Sequence, residues 1–287
     1  MFSISLSFCS YFSLLIALSC AIFTLFKNRY THMKNIFFWV LVCFAFAKAY
    51  PQGPPITSDK PIMLGGNSFT TKTLTEIRNT ERGTAVYIPL MLHYLPTSNS
   101  LVAVHLPYIS YDFDDTSGSG MADIKILGKY QFYRKDGTGK TFRVVAKTLQ
   151  TLPTGEEIDV ADFSTGNYSG YYGIVSGYET LKYGLSSEIG YNWMPDGTLD
   201  EFRVKAGVGL PLLKPQYPNK QLNLYFEYTS VWLHERDWYQ LFYSQGVQYA
   251  LKNITFDLAV QLPLVQDNIP ENRTYNYSVF LGTRYTF

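Results

Sequence analysis

Over long runs this chain alternates apolar and polar side chains at nearly every step, and that period bounds what it can become. In 253–264, Ile254, Phe256, Leu258, Val260, Leu262 and Leu264 share one side, against Thr255, Asp257 and Gln261. In 201–213, Phe202, Val204, Ala206, Val208, Leu210 and Leu212 oppose Glu201, Arg203 and Lys205. In 221–232, Leu222, Leu224, Phe226, Tyr228 and Trp232 oppose Asn223, Glu227 and Thr229. A helix would scatter these residues around its axis, whereas a strand sorts them onto two faces. The pattern predicts strands near 68–79, 83–95, 99–113, 121–134, 139–153, 168–178, 183–194, 200–213, 221–234, 238–251, 253–264 and 274–287. Turn-forming breaks separate them, among them Pro96-Thr97-Ser98-Asn99, Asp136-Gly137, Pro195-Asp196-Gly197 and Lys252-Asn253.

Strands in a soluble β-sandwich also alternate, but they centre on about 5–6 residues. Here the runs reach 11–15 residues. Charged residues make up 16% and aromatics 17% of the chain, where an average soluble domain carries about 25% charged residues. The aromatics gather at run ends: Tyr108, Tyr111 and Phe113; Trp193; Trp232; Trp238 and Tyr239; Tyr285 and Phe287. Aromatic girdles of this kind belong to membrane interfaces. The fold class expected is all-β: a transmembrane antiparallel up-and-down β-barrel of about 12 strands. With both ends periplasmic, parity places the long polar connections 114–120, 154–167 and 265–273 outside the cell, and only 214–220 is long on the other side.

Met1–Phe26 carries no charge, and a second apolar stretch, 36–47, follows Lys34 and ends in Ala47-Lys48-Ala49, an A-x-A cleavage pattern. We expect a leader over 1–49, with 1–32 an upstream extension and 33–49 the signal peptide, then a periplasmic arm over 50–67 rich in Pro, Gly and Ser, then the barrel over 68–287. Cys9, Cys20 and Cys43 all lie in the leader, so the exported chain has no disulfide framework or thiol metal site. Val42 before Cys43 argues against lipidation. Removing the leader cations Lys27, Arg29, Lys34 and Lys48 leaves 20 Lys and Arg against 23 acids, a net charge of −3. That balance argues against nucleic acid as a partner.

Four short motifs resemble the MetA-pathway of phenol degradation family. Gly120-Met121-Ala122-Asp123-Ile124 with Gly128-Lys129-Tyr130 is similar to its G-x-G-D-[IL]…K-Y strand, with Ala122 where Gly is usual. Leu152-Pro153-Thr154-Gly155 is similar to its L-P-x-G, and Gly246-Val247-Gln248-Tyr249 and Val260-Gln261-Leu262-Pro263-Leu264 to its closing pair. The resemblance, over about 85–287, implies a transporter-like outer-membrane barrel linked to aromatic catabolism. The terminal Tyr285-Thr286-Phe287 resembles the signal read by the outer-membrane assembly machinery, with Phe287 as its last residue.

Other motifs fail on their own terms. Gly137-Thr138-Gly139-Lys140-Thr141 lacks the glycine a phosphate loop needs at 134, which is Arg, and a strand follows it; it is expected to be a hairpin turn. His234-Glu235 has Trp at 238, so it is no zinc-protease motif, and neither His93 nor His105 has a serine two residues on. No enzyme activity, cofactor or metal site is therefore expected. Asn167-Tyr168-Ser169 and Asn272-Arg273-Thr274 are formal glycosylation sequons that carry no meaning in a bacterial envelope.

Ten ionisable residues fall opposite the apolar faces: Lys125, Lys129, Arg143, Lys147, Glu188, Arg203, Lys205, Glu227, Asp257 and Arg284. A Lys or Arg facing lipid at mid-bilayer costs about 2–4 kcal/mol, so all ten are expected to line the lumen. They fit either a permeation path for small solutes, aromatic ones included, or a closed network of ion pairs in a structural or surface-interaction barrel. About eight strands fill with side chains and 16–18 leave a channel; twelve leaves both readings open. Joining 200–213 to 221–234 sets Lys205 opposite about 229, which predicts Glu227 in ion-pair range of Lys205 or Arg203. Outer-membrane lipid and lipopolysaccharide are the expected surroundings. Glu156, Glu157, Asp159 and Asp162 are then placed to share divalent cations with lipid phosphates, or simply to keep their loop soluble.

Overall fold

The computed structural model describes residues 55–61, 66–114, 116–155, 163–164, 166–195, 200–213, 220–233, 236–269 and 273–287. The leader expected over 1–49, residues 50–54 and 62–65 of the expected arm, and the acid-rich stretch 156–162 lie outside the described residues.

Thirteen strands are described: β1 Ser68–Thr80, β2 Gly83–Thr97, β3 Ser100–Phe113, β4 Ser117–Met121, β5 Lys125–Gly137, β6 Lys140–Thr151, β7 Ser169–Thr180, β8 Gly184–Trp193, β9 Glu201–Pro211, β10 Lys220–Leu233, β11 Trp238–Leu251, β12 Ile254–Asp267 and β13 Tyr277–Thr286. All pairings are antiparallel, and β1 pairs with both β2 and β13, so the sheet closes. Twelve positions make the ring. β4 and β5 share one of them, since β3 pairs with β4 through Tyr108–Asp112 and with β5 through Ser100–His105.

The predicted strand at 121–134 is thus broken near its start. Asp123 explains the break. Its buried carboxylate accepts the Gly155 amide at 3.0 Å and the Gly166 amide at 3.2 Å, while the Ile124 amide donates to Thr154 Oγ1 at 3.0 Å. Asp123 and Ile124 turn from the ladder to hold Thr154, Gly155 and Gly166, residues that lie between β6 and β7. The Gly137–Thr141 segment is a hairpin turn, with Gly139 at φ +67°, where a side chain would be strained.

Burial alternates along the strands with the same period as the sequence. In β10, Asn223, Tyr225, Glu227, Thr229, Val231 and Leu233 are buried, while Tyr228 and Trp232 between them are exposed. In β12, Thr255, Asp257, Ala259 and Gln261 are buried, and Phe256, Leu258 and Val260 are exposed. The outward face is therefore largely apolar, while the inward face carries the buried polar side chains together with apolar patches such as Leu101, Leu127, Val145 and Val175. The outer surface is banded: Phe69, Tyr94, Tyr130, Tyr285 and Phe287 at one end, Tyr108, Tyr172, Trp193, Trp232 and Tyr277 at the other, and Ile174, Ile189, Leu258 and Leu281 between. Aliphatic residues between two aromatic girdles match a hydrocarbon slab with its two interfaces.

Residues 55–61, expected in an arm outside the barrel, instead lie within it. Ile56 packs with Tyr225, Ala259, Phe280 and Leu74 of β10, β12, β13 and β1, while Asp59 and Lys60 meet β5, β6 and β7. A segment of this length can reach strands around so much of a closed ring only from inside. Inward-facing glycines make room for it. A Cβ at Gly246 would sit 2.5 Å from Ile56 Cδ1, and one at Gly177 would sit 2.8 Å from the Pro61 ring. Glycine within a strand marks such close approach by another backbone. At Gly177 the next contact is the Leu185 carbonyl at 3.6 Å, so a side chain there conflicts with the segment and not with the wall. Gly177→Val is expected to displace residues 55–61 from a barrel that still folds, read as new protease sensitivity at 55–61 with heat-modifiable gel migration retained. Unchanged protease resistance in the folded variant would count against this packing.

Candidate functional site

The interior of the barrel is the candidate site, because the strand period delivers nearly all its buried polar side chains there. Its two halves differ. On β10–β12 amides and hydroxyls accompany the carboxylates Glu227 and Asp257: Gln248 Nε2 donates to Asp257 Oδ1 at 2.8 Å, Gln261 Nε2 to Ser244 Oγ at 2.9 Å, and Tyr275 OH to Gln261 Oε1 at 3.0 Å. On β5–β9 the filling is ionic. Lys147 Nζ lies 2.8 Å from Glu188 Oε1, which also accepts Tyr171 OH at 2.6 Å, and Arg203 Nη2 lies 2.6 Å from Glu201 Oε2.

Residues 55–61 thread between these halves. Glu227, fully buried, accepts the Ile56 amide at 2.9 Å, the Thr57 amide at 3.0 Å, Thr57 Oγ1 at 2.7 Å and the Ser58 amide. Lys205 Nζ donates to the Thr57 carbonyl at 3.0 Å. Asp59 is ion-paired with Lys129 and, at 3.0 Å, with Lys147, and Lys60 is ion-paired with Glu179. Burial alone would raise the Asp59 carboxyl, but Lys129 and Lys147 outweigh it and hold the group well below the usual carboxylate range. The segment is a strap, fastened at its backbone by one wall carboxylate and at its side chains by wall charges.

Each of the ten charges singled out in the sequence falls on the inward parity of its strand. Lys129, Lys147, Glu188, Lys205 and Glu227 come together around the strap. Lys125 lies apart, with Nζ 5.5 Å from the Tyr87 ring centroid. Arg143 Nε donates to Thr141 Oγ1 at 3.3 Å, and Arg284 Nη2 to Thr255 Oγ1 at 3.3 Å. The register places Lys205 opposite Thr229, but the expected Glu227 pairing is corrected. Its carboxylate takes the strap's N–H groups, and Lys205 takes a strap carbonyl. Sequence reasoning missed Asp59, Lys60 and Arg78. Arg78 sits between the rings of Phe163 and Tyr275, 4.3 Å and 4.6 Å from their centroids, and Phe163 stacks on Tyr87 at 4.7 Å. This layer lies towards the end where β1 turns into β2. A cavity of about 240 Å³ lined by Lys125, Lys147, Phe163, Tyr171, Glu188 and Lys205 adjoins both the layer and the strap's anchoring residues.

No protein-family model and no curated protein sequence matches the chain. Solved structures do resemble it. An outer-membrane channel from Pseudomonas putida F1 aligns with a TM-score of 0.56 at 13% identity, over 81% of this chain and 100% of that one. The NanC porin aligns with a TM-score of 0.51 at 10% identity, over 75% of this chain and 98% of that one. At such identities the shared property is the barrel fold.

Charge-assisted hydrogen bonds contribute about 1.5–3 kcal/mol each. Glu227→Ala removes the acceptor for three successive backbone amides, so those amides should exchange with solvent at least about thirtyfold faster, equivalent to about 2 kcal/mol. Hydrogen exchange by mass spectrometry on a peptide spanning 55–61 reads this directly. Equal exchange in the variant would mean that the strap is held elsewhere.

Proposed function

We propose that the chain is a channel of the bacterial outer membrane that passes small molecules and is closed at rest by its own strap. The observation that carries this is how the strap is held: residues 55–61 belong to no strand of the wall and lie across a polar lumen on hydrogen bonds and ion pairs. The outward girdles and aliphatic band support a position in lipid, with lipopolysaccharide around the outer rim and the C-terminal strand ending in Phe287 presented to the assembly machinery. The barrel fold shared with the Pseudomonas channel agrees with this reading. The four motifs similar to the MetA-pathway of phenol degradation family extend it to aromatic solutes. The ten inward charges would line the path, and no step in it calls for a catalytic group, cofactor or metal.

The second reading is a structural or surface-interaction barrel that never opens. It is favoured by the completeness of the filling: the strap, the Phe163–Arg78–Tyr275 layer and the amide ladder together occupy much of the lumen. Planar-bilayer recording separates the two. The full chain is expected to show small or rare conductance events, and a variant lacking residues 50–61 to conduct at least severalfold more. A folded deletion variant with current no higher than bare lipid would sink the channel and favour the structural barrel.

A further inference from the structure

In the β5–β6 pair, Lys129 and Lys147 stand directly opposite one another. Both face inward, and both side chains are about nine-tenths buried, with 10% and 12% of their surface exposed. Directly opposed residues have Cβ atoms about 4.5–5.5 Å apart, and like charges so placed repel. In a poorly hydrated interior two opposed ammonium groups require an anion between them. The wall supplies only part of one. Glu188 reaches Lys147 through Oε1, while its Oε2 is buried with no hydrogen-bond partner. The carboxylate that bridges both lysines is Asp59, and it belongs to the strap. Its neighbours in the strap are held by other groups, Glu227 at the 56–58 amides and Lys205 at the Thr57 carbonyl. The wall thus contains a two-lysine seat whose anion is delivered by a separable piece of chain.

We propose that Lys129 and Lys147 form a carboxylate-binding site of the lumen, occupied in cis by Asp59, and that small free monocarboxylates compete with Asp59 for it. The seat opens onto usable space, because Lys147 also lines the cavity of about 240 Å³, where Leu149 and Tyr171 offer apolar surface and five Lys and Arg side chains outnumber the three acids Asp123, Glu188 and Glu201. A carboxylate with a compact apolar body is the chemistry that suits this combination. The inference concerns binding, so it goes beyond the channel reading and holds whether or not the solute crosses.

Asp59→Asn keeps the size of the side chain and removes the competing charge. Sodium benzoate titrated calorimetrically into the detergent-solubilised full chain at low ionic strength should bind the Asp59→Asn variant at least tenfold more tightly than the unaltered protein. Adding Lys129→Met and Lys147→Met to Asp59→Asn should abolish that binding, and adding Lys147→Met alone should weaken it at least tenfold. Heat-modifiable migration identifies folded barrel in each preparation, and the single Lys147→Met addition serves if the triple variant does not fold. Equal benzoate affinity in the unaltered protein and Asp59→Asn, no detectable binding by folded Asp59→Asn, or binding that survives loss of the lysines would each overturn the proposal. Conductance is not used in this test, so a barrel that binds benzoate but carries no current would leave the site standing while removing the channel.

Discussion

Everything in this molecule depends on the ring being closed. A strand edge exposes a row of N–H and C=O groups, and in hydrocarbon each unmet group costs several kcal/mol. Pairing β1 with β13 removes both edges at once, and the Phe287 amide donating to the Phe69 carbonyl at 3.0 Å extends the seam to the last residue. Phe69 and Phe287 rings lie 5.4 Å apart over the same seam. Closure then dictates the rest. With the backbone satisfied in the wall, every second side chain must point outward and the others must fill an enclosed space.

That enclosed space is where the polar residues go, and it sets its own demand for partners. A buried charge without one is far more costly than a surface charge. The β10–β12 side meets the demand by giving its carboxylates N–H and O–H donors: Asp257 takes the Gln248 amide, and Glu227 takes the strap's amides and the Thr57 hydroxyl. The β5–β9 side carries more cations than its wall carboxylates engage, and the strap makes up part of the difference with Asp59 and with backbone dipoles. Part of the interior is occupied by a piece of the same chain. The inward glycines at 177, 207 and 246 are the steric counterpart of this arrangement, because a Cβ at any of them would meet the strap.

How much of this can be read from the sequence follows the range of the interactions involved. Strand positions are legible, because a period of two is a local property and short turns interrupt it cleanly. The register of β9 with β10 is legible for the same reason. The break at Asp123 is not, because its partners Gly155 and Gly166 lie 32 and 43 residues away. Nor is the strap, since Pro55-Ile56-Thr57-Ser58-Asp59-Lys60-Pro61 has the composition of an exposed linker and its partners are up to 171 residues distant. Two signals for it were present all the same. Glycines occupy inward positions in mid-strand, and the β5–β6 register sets two lysines face to face with no acid beside them in sequence.

The strap is attached to the wall it fills. Only residues 62–67 separate Pro61 from Ser68 at the start of β1. A chain extends at most about 3.3–3.6 Å per residue, so a released Asp59, nine residues before Ser68, stays within about 32 Å of that anchor. Rebinding is therefore unimolecular, and a short tether presents its end at an effective concentration in the millimolar range. A group held this way is diluted neither by growth of the cell nor by flow of the medium. Any free molecule that meets the strap's seat does so against a resident whose local concentration is set by chain length alone.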